Sequence, residues 1–214
     1  MHIVITGANR GIGLALFDRY MAAGETVTGT SRSGQGHFRL DVTQTEDHRG
    51  LSEAINGNPV DLLVCNAGVY LDKGQPLGDG FRPEIWAETF NANVTGVFLT
   101  IQHLLPSLQR SNAPKIAIIS SKMGSQARAP GGSYIYRASK AAVVNLGRNL
   151  AADLEALGIA VGIYHPGWVR TDMGGEDADI SVDQSADGLI QEFDRLSLEH
   201  TGCFRSWDGE DLPL

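Results

Sequence analysis

Short apolar runs alternate along this chain with longer stretches in which apolar residues recur every three or four positions. The first pattern predicts strands over 2–6, 26–31, 37–40, 60–65, 115–120, 159–164 and 202–206; the second predicts helices over 11–23, 44–55, 83–109, 133–157 and 182–196. Runs such as Leu62-Leu63-Val64-Cys65 and Ile116-Ala117-Ile118-Ile119 lack the polar alternation of a half-exposed strand, so both of their faces must be covered. Strands of this kind alternating with helices predict an α/β fold: a doubly wound parallel sheet with helices on both faces. Between the second and third strands only a short link containing Ser33-Gly34-Gln35-Gly36 is available, too short for a crossover helix. The polar stretch 174–183 reads as a surface loop.

With 214 residues, 42% of them hydrophobic, the chain can bury one sizeable core, and no break in composition divides it, so a single domain over 1–214 is expected. No run of 18 apolar residues occurs, and strand-like His2-Ile3-Val4-Ile5 takes the place where a signal peptide would stand, which predicts a cytoplasmic protein. A net charge of −8 without a basic cluster argues against nucleic acid or an anionic membrane as partner and leaves a small molecule. The two cysteines, Cys65 and Cys203, form no disulfide framework, and the six histidines show no metal-ligand spacing, so no metal is expected.

Candidate chemistry sits in three places. Gly7, Gly11 and Gly13 follow the first strand and open a helix whose apolar face includes Ile12 and Leu16; backbone N–H groups there can hold a pyrophosphate. The GxxxGxG spacing departs from the GxGxxG of many dinucleotide sites. Asn66-Ala67-Gly68 follows the fourth strand, where Gly68 allows close backbone approach and Asn66 can satisfy exposed strand-end groups. Tyr136 and Lys140 stand four apart on one helix face, so an ammonium can act on a phenol and lower its pKa.

TGANRGIG at 6–13, NAG at 66–68, NV at 93–94, SS at 120–121, YRASK at 136–140 and PGWVRT at 166–171 run in the order found in the short-chain dehydrogenase/reductase family, which the whole chain resembles. The ending FRSWDGEDLPL and the run SSKMGS are similar to the compact branch of C-factor and sniffer-like carbonyl reductases. The resemblance implies a Rossmann-type fold and hydride transfer between a nicotinamide and a carbonyl or alcohol substrate. It makes Tyr136 the general acid/base, Lys140 the residue that contacts the ribose and lowers the tyrosine's pKa, Ser121 the residue that positions the carbonyl, and Asn93 the holder of a water in a proton relay. The segment from Ser121 to Tyr136 is slightly longer than is common, which keeps Ser120 and Ser125 in view.

The cofactor residues so implied are Gly7, Arg10, Gly11, Ile12, Gly13, Ser31, Arg32, Asp41, Val42, Asn66, Ala67, Gly68, Tyr136, Lys140, Pro166, Gly167, Val169 and Thr171. At the end of the second strand Ser31 and Arg32 replace the acidic residue of an NAD site, and Arg10 adds a cation, favouring NADP(H) while leaving NAD(H) open. Met123, Tyr134, Trp168 and Met173 are candidate substrate-pocket walls, with Tyr70 in reach and His165 structural. Many family members self-associate, so a homodimer or homotetramer is expected, built on helices 83–109 and 133–157 through Ala141, Val144 and Leu150. The C-factor likeness also admits a nucleotide-binding signalling protein with little turnover, although such a module would need only the glycine turn.

Overall fold

The computed structural model describes residues 1–214. Strands β1 (His2–Ile5), β2 (Thr26–Ser31), β3 (Phe38–Arg39), β4 (Leu62–Cys65), β5 (Lys115–Ile119), β6 (Ala160–His165) and β7 (Phe204–Ser206) form one parallel sheet in the order β3-β2-β1-β4-β5-β6-β7. Helices α1 (Gly11–Ala22), α2 (Thr45–Ile55), α3 (Pro83–Phe90), α4 (Gly96–Leu108), α5 (Tyr134–Glu155) and α6 (Val182–Arg195) cover it. Strand alternation sorts the core into two layers. Ile3 and Ile5 of β1 join Val64, Ala117 and Tyr164 under α1 and α6, while Val4 points the other way with Leu63, Ile116 and Ile118 under α2, α4 and α5. The fold expected from the pattern of apolar positions is the one observed, including the absence of a helix between β2 and β3.

The strand order reverses direction at β1 and β4. Loops leaving neighbouring strands part there, and a crevice opens at the carboxyl ends of the strands, the usual ligand position in such sheets. The glycine turn leaves β1 and the NAG segment leaves β4, so both lie at this crevice.

The expected single helix over 83–109 is broken. α3 stops at Phe90, a π-helical segment runs over Asn91–Thr95, and α4 starts at Gly96. Two contacts explain the bulge. The Asn93 side chain is tied to the backbone of Val69, and Gly96 lies so close to Val42 that a Cβ would come within 2.8 Å of the Val42 carbonyl oxygen. The ends of the other elements shift by a few residues, as helix fraying and short edge pairing allow. A 3-10 turn over Leu198–His200 precedes β7, and the loop after β6 gains a Val169 to Ile180 bridge.

Candidate active site

The cradle at β1 is a place where side chains do not fit. Gly7 and Gly11 have φ of 69° and 54°, in the left-handed region that favours glycine. A Cβ on Gly13 would lie 2.2 Å from the Gly7 carbonyl oxygen. Asn66 braces the turn from β4, its Nδ2 donating to the carbonyls of Thr6 and Gly7 at 2.9 and 3.1 Å. The Thr6 hydroxyl in turn accepts from the Asn66 and Ala67 amides, both at 3.0 Å. α1 begins without a side-chain cap and without an acidic residue in its first turn, which leaves its N–H groups and positive dipole end to an anion. Ala67 lies against the same turn, with its Cα 3.1 Å from where a Gly7 Cβ would be. These residues fit a dinucleotide pyrophosphate.

At the end of β2 Ser31 is buried, and its hydroxyl accepts from the Gly34 amide at 3.0 Å. It therefore shapes the turn, and Arg32 is the exposed residue of the pair. Asp41 accepts from Thr43 through backbone and hydroxyl; burial pushes its carboxyl up, but those bonds together with Arg32 and Arg39 leave it below its usual value. Val42 packs on Gly96. Arg10, at the mouth of the turn, pairs with Asp172 at 2.6 Å across the crevice.

The second cluster lies where β5 ends and α5 begins. Tyr136 and Lys140 are buried on one face of α5, with Lys140 Nζ 5.6 Å from the Tyr136 ring centroid. The Lys140 ammonium donates to the Ile119 carbonyl at 2.9 Å. Gly68 lies beside it, and a Cβ there would stand 3.1 Å from Asn93 Oδ1 and 3.7 Å from Nζ. Ser121 follows β5 in extended conformation, and its Oγ accepts from the Met123 amide at 3.1 Å. Ser120 is spent elsewhere, donating to the Lys140 carbonyl at 3.1 Å. Ser125 is buried with its hydroxyl unpartnered. Asn93 makes a paired contact with Val69: Oδ1 accepts from the amide at 2.8 Å and Nδ2 donates to the carbonyl at 2.9 Å. Its Nδ2 also donates to Ser139 Oγ at 3.0 Å, so the whole amide is committed to holding α5, the π segment and the β4 loop together.

Burial sets the proton affinities here. It pushes the Tyr136 phenol up to about 12, with Tyr70 and Asp72 adding to the rise and Ser121 opposing it. The lowering of the phenol by its lysine neighbour, expected from the spacing, is not seen: only Ser121 acts in that direction. Lys140 is itself desolvated, and burial brings it down to about 8.

Around Tyr136 the wall is aromatic. Tyr70 stacks on it with ring centroids 4.2 Å apart, and Tyr134 meets Phe81 edge-on at 5.1 Å. Met123 is half-buried, and Met173 lies on the loop that Lys73 reaches by donating to the Met173 carbonyl at 3.3 Å. Trp168 is the fourth wall residue expected from the sequence. It lines a separate hollow of about 170 Å³ with Lys122, Arg128, His165 and Trp207, and neither Ser121 nor Tyr136 borders that space. Gly167 before it has a φ of 90°, and the indole N–H donates to the Gly174 carbonyl at 2.9 Å. His165 is buried and driven down to about 3, mainly by desolvation, and so stays neutral. Pro166 accepts from Ser185, Val169 is buried, and the Thr171 hydroxyl accepts from the Gly174 amide at 3.1 Å while its methyl lies 3.5 Å from the position of a Gly11 Cβ. This loop therefore closes the crevice opposite the glycine turn. Val144, expected on an outer face, packs inward with Ile163 and Phe204. Asp72 and Phe81 were invisible in the sequence, lying in an irregular segment with no motif spacing.

A glycine cradle at the sheet's reversal point, with a buried Tyr-Lys pair and a serine one strand away, defines a nucleotide-dependent oxidoreductase. The short chain dehydrogenase family model matches residues 1–180, and the chain belongs to that family. C-signal of Myxococcus xanthus is 37% identical over 166 residues, covering 77% of this chain and 99% of that protein. Among solved structures, the NADPH-bound carbonyl reductase from chicken fatty liver superposes with a TM-score of 0.91 at 28% identity, covering 100% of this chain and 98% of that one. Carbonyl reductase Sniffer of Drosophila melanogaster superposes at 0.89 with 26% identity, covering 100% and 99%.

Proposed function

We propose that the chain is an NADP(H)-dependent carbonyl reductase acting on a small aldehyde, ketone or corresponding alcohol, with cofactor and catalytic residues in the one unit spanning 1–214. The observation that carries the reading is that Ser121 and Lys140 both lie against Tyr136, in a chain whose first strand ends in a glycine cradle. Gly7, Gly11, Ile12 and Gly13 would hold the pyrophosphate with the N-terminus of α1; Asp41 and Val42 would flank the adenine; Asn66, Ala67 and Gly68 would face the ribose; and Pro166, Gly167, Val169 and Thr171 would face the carboxamide. The nicotinamide, when bound, supplies or accepts the hydride. Tyr136 then gives its proton to the carbonyl oxygen, and Ser121 donates a hydrogen bond to the same atom, where negative charge develops. A phenol at about 12 is loaded as an acid at neutral pH, which suits reduction. Lys140, at about 8, can exchange a proton near neutrality and replenish Tyr136. Asn93 serves by keeping the π bend and Val69 in place.

Arg32, exposed at the end of β2 with no carboxylate at that position, supports a 2′-phosphate and hence NADP(H) over NAD(H), with Arg10 as a second cation. The NADPH in the chicken enzyme points the same way. The aromatic wall of Tyr70, Tyr134 and Phe81 favours an apolar or aromatic substrate. A homodimer or homotetramer would use the outer faces of α4 and α5, where Phe98 is exposed and Ala141 and Leu150 are half-buried. No helix is long and apolar enough to cross a membrane.

NADPH consumption with a panel of aldehydes and ketones tests the reading. Tyr136→Phe should lower kcat by about 10²-fold or more and leave NADPH affinity nearly unchanged. The similarity to C-signal favours one alternative, a nucleotide-binding signalling protein. Tight NADPH binding with no turnover across the panel would select it.

A further inference from the structure

Helix α5 carries the proposed acid/base, yet its own sequence does not cap it. The residue before it, Ser133, sits in the left-handed region at φ 48° and makes no side-chain cap, and the first turn holds no acidic residue. The cap comes from far away in the chain. Asp72 is fully buried, and its Oδ2 accepts from the Ile135 amide at 2.9 Å while Oδ1 accepts from the Tyr136 amide at 3.2 Å. It pairs with no cation, so those amides are its compensation for burial. Two residues earlier, Tyr70 stacks on the Tyr136 ring and hydrogen-bonds Ser133.

We propose that Asp72 is a positioning residue for Tyr136: it fixes the backbone from which the phenol projects and keeps a negative charge beside it, biasing the site toward proton donation. The inference rests on the reading of Tyr136 as acid/base. The groups facing Tyr136 are Ser121 from the end of β5, Tyr70 and Asp72 from the β4–α3 loop, and Lys140 from α5 itself. Of these, Asp72 is the carboxylate. A like charge disfavours the phenolate, consistent with the raised phenol pKa.

Two variants separate the geometry from the charge. Asp72→Ala removes both, and kcat for carbonyl reduction should fall about tenfold or more with KM for NADPH near wild type. Asp72→Asn loses the charge and keeps one oxygen, which at the Oδ2 position still faces the Ile135 amide at 2.9 Å and the Tyr136 amide at 3.4 Å. It should recover most of kcat, while the basic limb of the reduction profile moves to lower pH and alcohol oxidation gains at lower pH. NMR of isotope-labelled tyrosine, with Tyr136 assigned from Tyr136→Phe, reads the same shift without turnover: the Tyr136 signal should begin to titrate at lower pH in Asp72→Asn. If Asp72→Ala does not fold, Asp72→Asn decides alone. An unchanged pH profile and an unchanged Tyr136 titration in Asp72→Asn overturn the proposal. If wild type reduces no carbonyl, the catalytic reading fails, and the NMR titration still judges the link from Asp72 to Tyr136.

Discussion

Lys140 should cost the fold stability, and replacing it with methionine should return that stability. The lysine is almost wholly buried, and its ammonium has one hydrogen bond, to the Ile119 carbonyl at 2.9 Å. Burial takes its pKa from 10.5 to about 8, and at about 1.4 kcal/mol per pH unit the charged form then costs roughly 3 kcal/mol near neutrality. Methionine has a similar unbranched stem and fills irregular space, so packing changes little. Leaving the Ile119 carbonyl unpaired takes back about 1 kcal/mol. The net gain is about 2 kcal/mol, or about 4–8 °C in Tm for a domain of this size.

The pH dependence carries the sharper signature. The unfolded lysine keeps its proton to about 10.5, whereas the folded one releases it above about 8, so in that window the unfolded state binds more protons and wild-type stability rises with pH. Lys140→Met has no such group. Its advantage should be largest at and below about pH 8 and shrink toward 10.5. Thermal melts without nucleotide, across this range, measure it, while NADPH-dependent turnover should be lost. A variant less stable than wild type, or a difference that stays flat with pH, refutes the account.

Other sites give shorter tests. Exchanging Arg32 for Asp should raise the Kd for NADPH by about ten- to a hundredfold and leave NADH binding equal or tighter, read by fluorescence titration; unchanged discrimination removes Arg32 from the phosphate site. Asp172→Asn frees Arg10 from an exposed ion pair and should tighten NADPH binding by roughly two- to fivefold at low salt, with the gain vanishing at high salt. Ser121→Ala should lower kcat by about 10²-fold, whereas Ser120→Ala should cost only about 1 kcal/mol of stability through its lost bond to the Lys140 carbonyl; equal kinetic losses would dissolve the distinction. Light scattering should find a species larger than one 22.9 kDa chain, and a purely monomeric profile counts against pairing through α4 and α5.

The layers of the fold were readable because they rest on local pattern. Two-sided apolar strands can only be central, and their spacing against helical stretches leaves few topologies. The glycine turn and the Tyr136 to Lys140 spacing were readable for the same reason, each lying within one turn or one helix. What escaped depends on partners distant in sequence. The break at Asn91–Thr95 follows from Asn93 finding Val69, which no helical periodicity records. Val144 was misdirected because α5 packs on the sheet with one stripe and beside α3 and the π segment with another, so an apolar stripe does not by itself say which neighbour it meets.

The β4–α3 loop shows how the sheet order brings such distant partners into one device. β5 lies between β4 and β6, so the chain leaving β4 passes over the end of β5, where α5 must begin in order to return to β6. The loop uses three residues there: Val69 binds Asn93 of the π segment, Tyr70 stacks on Tyr136, and Asp72 accepts from the amides at the start of α5. The proposed acid/base is thus held from the side of the substrate crevice as well as from its own helix. A substitution anywhere in 69–72 that shifts this loop should therefore reach the chemistry through Tyr136 before it disturbs the nucleotide cradle, because the cradle is braced independently by Thr6 and Asn66.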